Sequence, residues 1–533
     1  MQAASKVPEV LSPKPQTSRR LGLQVASAVV GLAFAFPIAY LAWGTLSLGG
    51  DFWETLRSER TLAPLRNSLL IATSTAAVCA VLGSGLAWLV VRTDLPGRRV
   101  WRLLLPLPLV IPSFVGATAL LAAFGRGGLI PLIPRIEGFW GAFIVLTLLS
   151  YPYVYLPVAA RLRSTLPSLE EAARLLGKGP VVTALRVVFP QVRDTVAAGT
   201  MLVFLYGLSD FGAVSLMRFD TITRAIFSSR LFDRVTSLTL GLVLAVLALT
   251  VAALERVATP KRRAVTKLGV RQVRYRLGPW KGAAVGSVTA VVGAGLAAPL
   301  AVFVFWVVRG SSTVGVGYSG LGDSLGFLIE PTLGSATAAV VAGLVAALVV
   351  LPLAYASVRV RGWIQAAASS MVTSVFALPG LVVALAIVFW AIQAPGPLAV
   401  IYQSFPLLIF AYVLHFGAQS MRATRAALAD IPPLYEDAAR TLGAGPRRRF
   451  LDVELPLLTP GLVTGAGLVM LSTLKELPAT LLLAPIGFET LATRIWGAAE
   501  DGFFAEVGIT SLVLIVLSGV LTWLLVLRRE LKT

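Results

Sequence analysis

The chain has one cysteine, Cys79, one histidine, His415, and charged side chains at only 14% of its 533 positions. A single cysteine excludes an internal disulfide framework and a cysteine-based metal site, and within an apolar run it reads as a small buried hydrophobe. The lone histidine, beside Phe416 and Gly417, reads as a packing residue rather than a metal site. A phosphate-cradling loop is also missing. "LGKGP" from Leu176 contains Gly-Lys, but glycine follows where Ser or Thr is needed, and no glycine stands at the required upstream spacing.

What the chain has instead is apolar length. Apolar residues make up 56% of it and mean hydropathy is +0.82, values of a bilayer protein rather than a soluble domain. A spanning helix needs about 20 mostly apolar residues, and twelve segments qualify. The first six are Leu21 to Leu48, Leu69 to Val91, Leu103 to Phe124, Phe139 to Ala160, Thr195 to Met217 and Val235 to Leu254. The second six are Ala283 to Val308, Pro331 to Val358, Trp363 to Ala391, Leu398 to Ser420, Thr459 to Leu483 and Val507 to Leu527. The basic tail over residues 1–20 precedes a first span too long for a signal-peptide core, so that span is expected to be a retained anchor.

A formal charge of +20 invites a nucleic-acid reading. The distribution argues for topology instead. With a cytoplasmic N-terminus, the inside segments hold 34 of the 46 basic residues and 12 acids, giving +22, while the outside segments hold 11 and 12. That is the positive-inside pattern of a multi-pass protein of the cytoplasmic (inner) membrane with both termini cytoplasmic, and no nucleic-acid partner is expected. Between the two sets of spans, Glu255 to Lys281 carries nine basic residues and one acid, and reads as a cytoplasmic linker held near anionic lipid.

The two sets repeat each other. "EEAARLLGKGP" from Glu170 returns as "EDAARTLGAGP" from Glu436, and nine residues after Gly177 and Gly443 come "VVFP" and "VELP". "SDFGAVSLM" from Ser209 answers "KELPATLLL" from Lys475 at the same offset, and "IPSFVGATAL" from Ile111 answers "LPGLVVALAI" from Leu378. Matching loops and spans in order argue duplication and fusion. Six spans per copy is an even number, so the copies insert in parallel, related by an axis along the membrane normal. The expected architecture is all-α, with repeat 1 over 21–254 and repeat 2 over 282–533.

The repeated phrase falls in the loop after the fourth span of each copy, about 164–190 and 428–456. Ser168 with Glu171 three residues on has the capping-box pattern, while Pro432 and Pro433 suit an early helical position in the second copy. Glu170 and Glu171 lie where the helix dipole favours acids. Ala172, Ala173, Ala438 and Ala439 are short enough for a partner surface to approach the backbone, and Gly177 and Gly443 permit a turn that a side chain would resist. A helix-turn-helix lying on lipid headgroups is the plainer alternative. A lipid surface, however, does not demand an identical interval from Gly177 to Val188 and from Gly443 to Glu454; a folded partner does.

The phrase, its spacing and its position resemble the signature loop of membrane subunits of binding-protein-dependent ABC importers, in which a coupling helix docks into a cytoplasmic ATPase. Asp437 stands where that pattern has Glu, and Phe189 where it has Leu. The resemblance covers both copies and implies a fused double permease of the type I importer fold, most similar to the ferric-iron branch. Permeases for thiamine, sulfate, phosphonate or polyamine are the neighbouring alternatives. It further implies that Glu170, Glu171, Ala172, Ala173, Gly177, Glu436, Asp437, Ala438, Ala439 and Gly443 meet an ATPase dimer. ATP-Mg would be held on that partner, with no cofactor on this chain. An external binding protein, periplasmic or lipid-anchored, would deliver the cargo.

Two acids lie inside spans at equivalent positions, Asp210 before Phe211-Gly212 and Glu476 before Leu477-Pro478. A charge near the bilayer centre costs at least ~2.5 kcal/mol, so these acids are expected to face a cavity between the copies or to fix packing, for instance through Lys475. Gly212 and Pro478 are expected to loosen the helix there, as in broken spans beside permeation paths. Carboxylate oxygens suit a hard cation such as Fe(III), although the sequence assigns no metal ligands. "RFDTITR" from Arg218 and "GFETLATR" from Gly487 form a second repeated pair, placed to meet two lobes of a binding protein. A twelve-span secondary transporter, and more distantly a channel or scaffold, share the span count but give no reason for the repeated loop.

Overall fold

A computed structural model describes residues 17–125, 127–165, 167–230, 232–258, 273–312, 326–360 and 362–524. The tail up to residue 16, the linker over 259–272 and the last residues of the twelfth span therefore lie outside the described residues. Among the described residues the protein is all-α and polytopic, and its only β contacts are two isolated bridges, Thr93 with Tyr275 and Phe124 with Ile130. Eight helices are long and apolar enough to cross a membrane, or ten when two bent pairs are each counted as one span. Phe189–Ser209 and Phe405–Asp430, 21 and 26 residues long, occupy the places of the expected fifth and tenth spans but are not among these ten.

In each copy, spans two, four and five form a packed trio: Glu59–Arg92 with Pro152–Arg163 and Phe189–Ser209, and Gly326–Arg359 with Phe405–Asp430 and Leu455–Leu474. The contact is made close by glycine at the same place in both. A Cβ on Gly199 would lie 3.0 Å from the Cα of Val154, and one on Gly465 would lie 2.9 Å from the Cα of Ser420. Backbones approach this closely only where side chains vanish, the usual device of membrane helix pairs.

The copies also complete each other. The first span, Thr17–Leu46, packs on the second copy's Trp363–Ala377, where a Cβ on Gly31 would meet Ala368 Cβ at 2.8 Å. The seventh, Gly278–Gly310, returns the exchange, placing Ala284, Val288 and Val292 in a core cluster with Leu105, Tyr151 and Val154. Neither copy's core is closed without a helix of the other.

Four passages are interrupted: the third and ninth, which read as continuous apolar runs, and the fifth and eleventh, where Gly212 and Pro478 are expected to loosen the helix. The third bends by 93° between Arg98–Val110 and Ser113–Ala123, and the ninth by 106° between Trp363–Ala377 and Gly380–Gln393. Pro112 and Pro379 account for both, because proline drives the preceding residue out of the helical region; Ile111 and Leu378 are extended, at ψ 118° and 145°. The fifth and eleventh break at Asp210 and at Lys475 to Leu477, before the short helices Gly212–Leu216 and Pro478–Leu483.

Candidate functional site

The first repeated phrase folds as a helix over Pro167–Leu175. Ser168 therefore lies within its first turn rather than capping it, and the expected capping box is not formed. Glu170 is the centre of the loop. Its side chain is fully buried, 2.8 Å from the Arg92 guanidinium at the end of the second span, which is equally buried and also bonds Thr165. A second carboxylate oxygen accepts from the Tyr275 phenol at 3.0 Å. Burial first, and then the Glu170 charge, push that phenol up to about 12, so it stays protonated and donates. Glu171 and Ala172 face outward, whereas Ala173 is buried.

Tyr275 belongs to the linker, and the described end of the linker over 273–281 is fastened here. Its amide donates to Arg92 O at 2.8 Å, the Asp94 amide donates to Tyr275 O at 3.2 Å, and its ring lies 5.4 Å from that of Trp88 with Arg174 4.9 Å away. Asp94 accepts from the Leu277 amide at 2.8 Å and pairs with Lys281 at 2.9 Å. Those two contacts hold its carboxyl below the usual carboxylate range. Residues 273–281 thus form a strap across the base of the first loop.

The second phrase forms a helix over Pro433–Thr441 with Pro432 at its N-cap and Pro433 at the first position, as its prolines suggest. Glu436 is held by its own helix, 2.9 Å from Arg440, and by Arg449 at 3.9 Å. Asp437 and Ala438 are exposed and Ala439 is buried, the pattern of Glu171, Ala172 and Ala173. Both helices end alike. Gly177 at φ +71° and Gly443 at φ +79° adopt the left-handed conformation that glycine takes freely, and Lys178 N and Ala444 N donate back to Ala173 O and Ala439 O. Beside each glycine stands an exposed leucine, Leu176 at 78% and Leu442 at 86%. The segment after each turn is not a separate surface helix: it runs through a π-helical turn, Ala184–Val188 or Phe450–Glu454, straight into the following span. A displacement of either turn is therefore applied directly to a membrane helix.

At the far end of that same helix lies the break with its acid, buried at Asp210 and half-buried at Glu476. Asp210 accepts from the amides of Ala213 and Val214 at 2.9 and 3.3 Å, and Glu476 accepts from Ala479 N at 3.2 Å. Each carboxylate caps the short helix that follows, at its electropositive end. The two kinds of break touch: a Cβ on Gly212 would lie 2.7 Å from Phe114 Cβ, and one on Gly380 would lie 2.6 Å from Glu476 Oε1 and 3.2 Å from His415 Nε2. The longer acid thus goes with Gly380, where the first copy has Ser113. Lys475 forms no pair with Glu476 among the described residues; it reaches across to the first copy and donates to Leu109 O at 3.0 Å. Pro478 begins the second short helix as Gly212 begins the first. No group of three or more acids, histidines or cysteines that could hold a metal occurs among the described residues.

On the face away from the loops, the second repeated pair forms the amphipathic helices Ile222–Ser229 and Leu491–Asp501; Thr221 and Thr490 stand at their N-cap positions, and the Thr490 side chain accepts from Thr493 N. Between them opens a cavity of about 690 Å3, where Arg218, Arg224 and Arg230 of the first copy face Glu500 and Asp501 of the second. It ends on Phe227 and Trp496, which meet Phe211, the neighbour of Asp210, at ring distances of 4.7 and 5.2 Å.

These paired features match a known family. The model of the binding-protein-dependent transport system inner membrane component matches residues 65–264 and again 339–529, one match in each copy. The chain belongs to this family. It is the membrane permease subunit of an ABC importer, a multi-pass inner-membrane protein that works with a substrate-binding protein and a separate ATPase and is not itself an enzyme. The Fe(3+)-transport system permease protein FbpB 2 of Haemophilus influenzae is 29% identical over 93% of this chain and 96% of its own length. A probable ABC transporter permease, y4fN of Sinorhizobium fredii, is 25% identical over 88% and 87%. The molybdenum permease ModB of Mycobacterium tuberculosis is 31% identical, but over 43% of this chain and 89% of its own length.

Sequence reasoning located the loops, the turn glycines and the acids within the spans. It missed Arg92 and Tyr275. Arg92 left a trace, since Arg359 repeats it at the matching span end; Tyr275 left none, being one aromatic in a basic linker.

Proposed function

We propose that this permease carries ferric iron. The observation behind this reading is length: similarity to the Haemophilus Fe(3+) permease runs through both copies, whereas the molybdenum and sulfate permeases match 43% and 34% of the chain. Loaded binding protein, periplasmic or lipid-anchored, docks at the helices Ile222–Ser229 and Leu491–Asp501. An ATPase dimer carrying ATP-Mg docks on the cytoplasmic side at the two coupling helices, through the exposed faces of Glu171 and Ala172, and of Asp437 and Ala438. The buried Glu170, Ala173 and Ala439 hold those helices to the body, Glu436 ties the second within its own loop, and Gly177 and Gly443 shape their ends.

Closure of the ATPase moves both turns. Because each turn is continuous with a span ending at an acid, the motion reaches Asp210 with Gly212 and Glu476 with Pro478, where the broken helices give way and the aromatic contact of Phe211 with Trp496 parts. Both termini are then cytoplasmic, repeat 1 spans 21–254, the linker 255–281 and repeat 2 282–533. Reconstitution of the chain with its own ATPase and binding protein in liposomes tests the reading. ATP-dependent uptake of ferric iron in preference to molybdate, sulfate and thiamine supports it; uptake of any of these without iron, or uptake driven by an ion gradient without ATP, overturns it.

A further inference from the structure

The second copy contains a polar cavity that the transport cycle above does not use. It has a volume of about 410 Å3 and lies at the cytoplasmic start of the ninth passage, between Ser357, the first turns of Trp363–Ala377, and Arg425 of the tenth passage. We propose that it binds a phosphate-class oxyanion, presented either as the headgroup of an anionic lipid or as the free ion.

Gln365 carries the argument. It lines the cavity, its side chain is only 2% exposed, and neither its amide nitrogen nor its amide oxygen has a partner among the described residues. A buried amide left wholly unpaired is costly, and native structures rarely tolerate it without a ligand or water. Ser369, one helical turn on, has a buried hydroxyl in the same condition. Gly362 makes the arrangement possible, since a Cβ there would stand 2.7 Å from Gln365 Oε1.

The surroundings select the sign of the ligand. Gly362 is the N-cap of a 15-residue helix and offers no side-chain cap, so the free N–H groups of the first turn point to this end. Arg425 lines the cavity, forms no ion pair with a carboxylate among the described residues, and no acid shares the lining. Thr373 and Ser357 direct their hydroxyl hydrogens to Ser369 O and Ala354 O, which leaves Gln365, Ser369, Ser370 and Arg425 as the side-chain donors. In the first copy the positions matching Gln365, Ala366 and Ser369 hold Arg98, Arg99 and Arg102. Both copies thus set positive or donor character at this level, and in the second it lines a cavity. Trp363, 81% exposed next to it, is the residue type that settles among lipid headgroups, so a headgroup phosphate has direct access.

Thermal unfolding of the full, delipidated chain in detergent tests this with two probes, phosphatidylglycerol and inorganic phosphate, each titrated to saturation against phosphatidylcholine and chloride controls. Saturable stabilisation by phosphatidylglycerol alone identifies the lipid source, and by inorganic phosphate alone the free ion. In either case Arg425→Gln is expected to weaken the apparent affinity about tenfold or more, as loss of a charge-assisted hydrogen bond does. Ser370→Trp, at an exposed position, blocks the mouth without removing a core contact and is expected to abolish the shift while leaving the ligand-free melting temperature unchanged. No saturable stabilisation by either probe overturns the site, and so does stabilisation that survives both substitutions.

Discussion

The two coupling helices carry the same phrase and end in the same turn, yet they are mounted differently. In the first copy Glu170 is fully buried against Arg92 and Tyr275, so the helix is bolted to the second span and to the linker. In the second, Glu436 is partly exposed and is held by Arg440 and Arg449 of its own loop, while Arg359, the counterpart of Arg92, donates among the described residues to the Ile431 carbonyl alone, at 3.4 Å. A duplicated motif therefore does not imply duplicated mechanics. The linker that joins the copies has one place to go, and it ties down the loop of the copy it leaves; no equivalent strap reaches Glu436 among the described residues.

The largest expected effect separates the two mounts directly. Arg92→Met leaves Glu170 buried without its cation, the situation that costs about 3–5 kcal/mol, whereas Arg359→Met removes a contact to a backbone carbonyl worth about 1 kcal/mol. Thermal unfolding of the purified variants should show a large loss for the first and a small one for the second. Equal losses would mean that the asymmetry carries no energetic weight.

Tyr275→Phe sharpens the same comparison. It keeps the ring against Trp88 and removes the phenol that donates to Glu170, a hydrogen bond to a charged group worth about 1.5–3 kcal/mol. Hydrogen exchange should rise across Pro167–Leu175 and stay unchanged across Pro433–Thr441. A rise in both helices would show that the strap acts on the whole cytoplasmic face rather than on one loop.

Where the copies are alike, the predictions should be alike. A Cβ at Gly177 or Gly443 meets nothing within 4 Å, so substitution there acts through the left-handed backbone alone. Gly177→Val and Gly443→Val are each expected to cost about 1–2 kcal/mol locally. The double variant should insert normally but transport less cargo per ATP hydrolysed in proteoliposomes. Coupled uptake at the unaltered ratio would remove these turns from the coupling path.

The contrast also explains what was legible in the sequence. The duplication, the glycine turns and the acids within the spans are local or periodic signals, and they recur at fixed offsets. The helix breaks were half legible: Pro112 and Pro379 announce them, but an uninterrupted apolar run through Leu103 to Phe124 reads as one span. The role of Asp210 and Glu476 as caps needed the break to be seen first. The Arg92 and Tyr275 contacts were not legible, because they join residues 78 and 105 positions from Glu170 in regions whose composition is explained by topology alone. Local reasoning placed Ser168 at the cap, where tertiary burial of Glu170 set the helix start instead.

The smallest effect concerns the outer end of the strap. Asp94 is held below the usual carboxylate range by the Leu277 amide and then by Lys281. A carboxylate with a depressed folded-state value contributes stability that is present above its ordinary value of about 3.9 and is lost as pH falls through the depressed one. Proteolytic protection of residues 273–281 should therefore be flat from neutral pH down to about that value and decline only below it. Asp94→Asn should reduce the protection slightly at neutral pH and remove the acid-dependent step. Because Lys281 is exposed and Asp94 half-exposed to solvent, added salt should weaken the pair, while the buried contact of Glu170 with Arg92 should be insensitive to it. If the acid step persisted in Asp94→Asn, the outer end of the strap would be fastened by a carboxylate other than Asp94.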